Sequence, residues 1–178
     1  SGIAPDDPMV QSSARWLLDK QIFAGGDWQI QAKDVRPGGW SFEFDNVTYP
    51  DIDDASVVVM ALDQVRLPDA EEARRENSIQ RGVEWMAGMQ SKNGGWAAFD
   101  KATNKLINKR YLAKIPFSDF GETLDPPSVD VTAHLLEMYG RLGLTTDDQT
   151  VNRGLNYLVS EQEDDGSWFG RWGVNYLY

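Results

Sequence analysis

An all-α fold built in two helical layers is what this sequence predicts, and three observations predict it. A block recurs three times along the chain, helices with a wet face alternate with helices that are apolar nearly all round, and strand patterning is weak.

The repeat is the firmest of these. "RGVEWMAGMQSKNGGW" (81–96) aligns without a gap on "RGLNYLVSEQEDDGSW" (153–168). Each carries Arg-Gly, an aromatic, Gln, and then Gly and Trp at the same spacing. Gln90 and Gln162 lie 72 residues apart. A looser copy, "ARWLLDKQ" (14–21), runs through an insertion to "PGGW" (37–40), with Gln21 placed 69 residues before Gln90. Self-similarity at a long period is the mark of stacked helical units.

Taken in order, the first wet helix is expected over about 8–21, ending at Gln21. "GGWSFEFDNVTY" then reads as the one segment with extended character, before the apolar helix "DASVVVMALDQVRL" (54–67). A second wet helix covers 71–90, where Val83, Met86 and Met89 recur at helical spacing. "KATNKLINKRYLAKIPF" (101–117) is basic and aperiodic, and reads as a surface loop or a flank of a substrate channel. Pro126 and Pro127 start the second apolar helix, 128–140, and a third wet helix spans 147–162 with Leu155, Leu158 and Val159 on its dry face. Apolar helices buried on most sides would form the inner layer, and wet ones the outer.

At 178 residues the chain suits one domain with a real core. No run approaches the roughly eighteen apolar residues of a membrane span, and no signal-peptide pattern opens the chain, so the segment is expected to be soluble. A net charge of -11 argues against nucleic acid and against attraction to anionic lipid. The absence of cysteine excludes disulfides and thiolate metal sites, and a single histidine excludes a His-rich one. "SGIAPDDP" starts without methionine and "GRWGVNYLY" stops inside an aromatic stretch, so a piece cut from a longer protein is expected.

The stretch "YPDIDDASVVVMAL" (49–62) crowds Asp51, Asp53 and Asp54 against an apolar helix. One aspartate at a helix start would be held ionised by the macrodipole and free amides. Three sharing a site cannot all ionise, so one keeps its proton. A bland alternative is that Asp54 caps the helix and the others form a wet turn. Farther on, Asp130 and His134 are four residues apart and share one helix face.

These blocks together resemble the squalene-hopene cyclases, the bacterial class II triterpene cyclases, over nearly the whole chain. The repeats match that family's Gln-Trp repeat, "DIDD" (51–54) its Asp-x-Asp-Asp acid motif, and "GSWFGRWGVNYLY" (166–178) a long aromatic block, with "GGWSFEFDNVTYPDIDD" and "DPPSVDVTAH" adding specificity. The resemblance implies an α/α toroid of the α6/α6 barrel type. Residues 1–178 would supply about half of it, with repeats at about 14–40, 81–96 and 153–168. It further implies a hopanoid-biosynthesis enzyme that protonates squalene and cyclises it through carbocations to hopene or hopanol, with no metal and no cofactor. The parent would be a monotopic homodimer on the cytoplasmic side of a bacterial inner membrane, and the isolated segment inactive.

Carried over residue by residue, the resemblance makes Asp53 the proton donor, with Asp51 and Asp54 as its neighbours. His134 would hydrogen-bond the donor and, as a cation, sharpen its acidity, and Asp130 would hold His134. Phe42, Phe120 and Trp172 match cavity aromatics, Trp96 and Phe99 lie near them, and Tyr178 matches a tyrosine of the proton-resupply network. Aromatic faces suit a migrating cation because the ring quadrupole attracts charge yet has no lone pair placed to capture it. Phe99 stands where some members carry tyrosine, and so brings a ring without the hydroxyl. Gln21, Gln90, Gln162, Trp96 and Trp168 read as structural members of the repeats, bonding helix-end carbonyls.

Other class II terpene cyclases share the acid motif. An α/α-toroid glycosidase would also use paired carboxylates, but on separate loops and among polar neighbours. A magnesium-dependent prenyl-diphosphate enzyme would need a second acidic motif, and a protein prenyltransferase a zinc-binding cysteine. A helical scaffold without activity is the non-enzymatic reading.

Overall fold

The computed structural model describes residues 2–43, 45–101 and 125–172. Phe120, Tyr178 and all but the first residue of the 101–117 segment lie outside the described residues. Five α-helices and a two-stranded antiparallel sheet make up the described secondary structure, together with one 3-10 turn.

Helix α1 (Pro8–Lys20) starts where Asp7 accepts the amide of Met9 at 2.8 Å and Pro8 takes the first turn, where no donor is missed. It ends as Gln21 turns extended. The 3-10 turn Asp27–Ile30 buries Trp28, whose ring meets Trp85 edge-on at 5.9 Å. The extended character of the next segment is realised in only two residues, β1 (Trp40–Ser41), paired with β2 (Pro50–Asp51) so that Trp40 faces Asp51.

Helix α2 (Ile52–Asp63) begins two residues earlier than its apolar run, which puts Asp53 and Asp54 inside the first turn. α3 (Asp69–Met89) carries three acidic residues in its first turn, as the macrodipole favours. α4 (Val129–Arg141) follows Pro126 and Pro127, and α5 (Gln149–Ser160) is capped by Asp148 on the amides of Thr150 and Val151.

α2 and α4 pack side by side, with α1 and α3 against α2 and α5 against α4. Ala55, Val59 and Leu62 of α2 and Val131, Leu135 and Met138 of α4 lie in the resulting core. Burial of the apolar helices is less complete than their composition suggests. Val57 is 53% exposed, on a face of α2 that no other described element covers.

The repeats form one joint used three times. Trp40, Trp96 and Trp168 each donate their indole N–H to a carbonyl four residues before the repeat's Gln, namely Leu17 (2.8 Å), Met86 (2.7 Å) and Leu158 (2.8 Å). These are last-turn carbonyls, where helical donors run out, although that of Leu158 also accepts the Glu161 amide at 3.3 Å. Gln21 donates to the carbonyls of Gly38 and Ser78, and Gln90 to those of Gly94 and Thr150, so these two reach the next wet helix, while Gln162 donates to the Gly166 carbonyl. The glycine of Arg-Gly is the seat for the preceding Trp. A Cβ on Gly82 would stand 2.9 Å from the Trp40 ring, and one on Gly154 3.0 Å from the Trp96 ring. No helix among the described residues is long and apolar enough to cross a membrane.

Candidate functional site

The hairpin β1–β2 feeds directly into α2, and this continuity builds the site. Asp51 ends β2 and becomes the N-cap of α2, its Oδ1 accepting the amides of Asp53 (2.8 Å) and Asp54 (3.1 Å). The cap is therefore Asp51 rather than Asp54, and it is buried rather than wet. Burial raises the Asp51 pKa to about 7, against the opposing pull of its two amide bonds and with help from the Asp53 and Asp54 charges. Burial and the Asp53 charge also raise Asp54. Desolvation, and after it crowding, thus favours the protonated forms of Asp51 and Asp54.

Asp53 projects from the first turn of α2 toward α4, where its Oδ1 lies 2.6 Å from Nδ1 of His134. Both side chains are about one-third exposed, so the pair sits at a cavity edge and not in the sealed core. Asp130 does not hold the histidine as expected. Among the described residues its carboxylate bonds the amides of Val131 (3.0 Å), Arg171 (2.9 Å) and Trp172 (2.8 Å). Helical side chains lean toward the helix N-terminus, so an aspartate in the first turn of α4 reaches back to that segment and not forward to His134.

A cavity of about 260 Å³ opens beside the three aspartates, walled by Phe42, Ala98, Phe99, Val131 and Trp172. Phe42, which follows β1, is 69% exposed. Phe99 and Trp172 meet edge-on, centroids 6.5 Å apart at 85°. The Arg171 guanidinium lies 5.6 Å from the Trp172 ring centroid. A larger cavity, about 580 Å³, lies among α1, the end of α2 and the N-terminal residues, but no carboxylate lines it.

Of the residues singled out in the sequence, the fold gathers Asp51, Asp53, Asp54, His134, Phe42, Phe99 and Trp172 at one place. Trp96 goes elsewhere. It is fully buried against Tyr139 at 6.0 Å, within the repeat joint. Sequence patterning does not single out Asp125, a buried carboxylate bonded to the amides of Ala98, Phe99 and Asp100. Its only outward sign is its place before two prolines at a helix start.

The arrangement offers two carboxyls with raised pKa, a third that carries an imidazole, and an aromatic wall. Acid chemistry on an apolar, cation-forming substrate is what such a set can perform.

The family model described as the squalene-hopene cyclase C-terminal domain matches residues 1–178. A squalene–hopene cyclase of Alicyclobacillus acidocaldarius is 50% identical over 179 residues, covering 100% of this chain and 27% of that protein. One from Zymomonas mobilis is 48% identical over 169 residues, covering 94% of the chain and 25% of that protein. A dammaradiene synthase of Dryopteris crassirhizoma is 46% identical over 187 residues, covering 100% and 26%. The chain spans about a quarter of the length of these three relatives.

Proposed function

This chain belongs to the squalene-hopene cyclase family, and on that premise we propose that it supplies the proton-donating wall of a cyclase that converts squalene to hopene or hopanol. Asp53 delivers its proton to a terminal double bond, and His134, bonded to it, favours the carboxylate left behind when the imidazole is cationic. Asp51 and Asp54 flank the donor, and burial raises the pKa of both. The single observation carrying this reading is the 2.6 Å Asp53–His134 contact at the rim of a cavity walled by aromatic rings.

Phe42, Phe99 and Trp172 would face the cation as it migrates, and Phe120 and Tyr178 keep the roles that the resemblance implies. In the proposed architecture residues 1–178 form about half of an α/α toroid, its three repeats clasping the outer helices. The exposed apolar face of α2 would then look into the central cavity. The full-length protein is proposed to be a metal- and cofactor-free homodimer seated on the cytoplasmic face of a bacterial inner membrane. A cavity of about 260 Å³ is small even for ordinary ligand pockets, about 300–1,000 Å³. The 178-residue chain alone should therefore release no polycyclic product from squalene.

Gas chromatography of a squalene incubation with the full-length protein, with and without EDTA, tests the function. Pentacyclic product unaffected by the chelator is expected. No product from folded protein, or loss of product with EDTA, would reject the reading.

A further inference from the structure

Asp125 lies outside the cavity lining yet is tied to two parts of its wall. It is 7% exposed, and its Oδ1 accepts the amide of Ala98 at 3.1 Å while its Oδ2 accepts those of Phe99 (2.6 Å) and Asp100 (3.0 Å). Three consecutive amides held by one carboxylate fix the course of that segment, because a buried amide deprived of its acceptor costs far more than the bond returns when made. The held segment touches the site on both sides. The Ala98 carbonyl accepts the amide of Ile52, the first residue of α2, at 2.7 Å. Phe99 contributes the ring that meets Trp172.

The anchor is itself rigid. Pro126 and Pro127 follow it with fixed φ, and Ser128 donates its amide to the Trp96 carbonyl at 2.9 Å, so the two strands of chain run locked together. Asp130, on the other side of the same helix start, holds the amides of Arg171 and Trp172. The two buried carboxylates flanking the start of α4 thus each grip one of the segments that meet ring to ring. Burial pushes the Asp125 pKa above the ordinary aspartate value, against the pull of its three amide bonds and the smaller pull of the Arg171 charge.

We infer that Asp125 is a positioning residue, which by clamping residues 98–100 sets both the Phe99 ring in the cavity wall and the first turn of the helix that carries Asp53. Its effect on catalysis rests on the cyclase reading given above, whereas the clamp itself does not. Asparagine cannot replace it, because one of its two ends presents donors to an amide that is also a donor.

Amide hydrogen exchange on the full-length protein tests the clamp without any substrate. In the wild type the amides of Ala98, Phe99, Asp100 and Ile52 should be protected well above the neighbouring exposed positions, and Asp125→Asn should lose that protection selectively. Unprotected amides in the wild type would overturn the inference, whether or not the variant folds. Product analysis tests the consequence. Asp125→Asn should lower kcat by on the order of tenfold to a hundredfold, as small misplacements do, leave KM nearly unchanged, and raise the share of partly cyclised products. Asp125→Glu, which keeps the charge and both acceptor oxygens, should recover part of each. An unchanged product ratio with only a lower yield of folded protein would reduce Asp125 to a structural residue. Failure of the wild type to cyclise squalene would reject the function, and the exchange result would still decide the clamp.

Discussion

Nδ1 of His134 lies 2.6 Å from Oδ1 of Asp53, joining α4 to α2 across 81 positions of sequence. The contact puts an imidazole on one of three crowded carboxyls at the edge of the aromatic cavity. In the full-length enzyme Asp53→Asn should abolish turnover, since the amide keeps the shape and has no acidic proton to give. His134→Phe should lower kcat by about two orders of magnitude, the usual scale for a group assisting proton transfer. Circular dichroism should show both variants folded. Near wild-type turnover by Asp53→Asn would remove it as the donor.

Phe42 stands 69% exposed after β1, on the open side of the acid cavity. If its ring stabilises a desolvated cation, worth about 2 kcal/mol, Phe42→Ala should slow one ring closure by a factor of a few tens. Proton loss from the stranded cation would then compete. The variant should consume squalene and release partly cyclised products. An unchanged pentacyclic profile by gas chromatography would take Phe42 out of the site.

The repeat joint predicts the opposite pattern. Gly82→Ala places a methyl group 2.9 Å from the Trp40 ring and 3.0 Å from Val59. Overpacking costs about 1–3 kcal/mol, and the better helix propensity of alanine offsets at most about 1 of that. Melting temperature should fall while the product mixture stays that of the wild type. Trp168→Ala, which deletes an indole bonded to Leu158, should behave likewise. A shifted product pattern in either variant would mean that the joint shapes the cavity directly.

Asp51 predicts how stability depends on pH. Folded, it holds its proton up to about pH 7, whereas an ordinary aspartate releases it near 3.8. Between those values the native state binds more protons than the unfolded one, so stability falls as pH rises. The contribution is complete below about pH 4 and is lost as pH passes through about 7. Asp51→Asn keeps a competent N-cap and should flatten this part of the curve. Thermal melts of the two proteins at several pH values decide it, and parallel slopes would reject the burial effect.

Much of this molecule is determined by sequence alone. The wet and apolar helices follow from periodicity, because a helix must bury one stripe whatever it packs against. The repeat follows from spacing, since Gln, Gly and Trp make one local joint each time. The acidic crowding at 51–54 is likewise local. What only the tertiary structure decided is which distant groups meet. Asp51 rather than Asp54 caps α2, because pairing of Trp40 with Asp51 ends the strand one residue before Ile52. Asp130 reaches Trp172 and not His134, because first-turn side chains lean backward and the 171–172 amides lie there. Asp125 matters only through three amides of a segment 25 to 27 residues earlier. Trp96 and Phe99, three residues apart in sequence, part company because one ring faces the core and the other the cavity. Hydrophobic pattern records whether a side chain is buried, and the packing of α2 against α4 decides which side chains it is buried among.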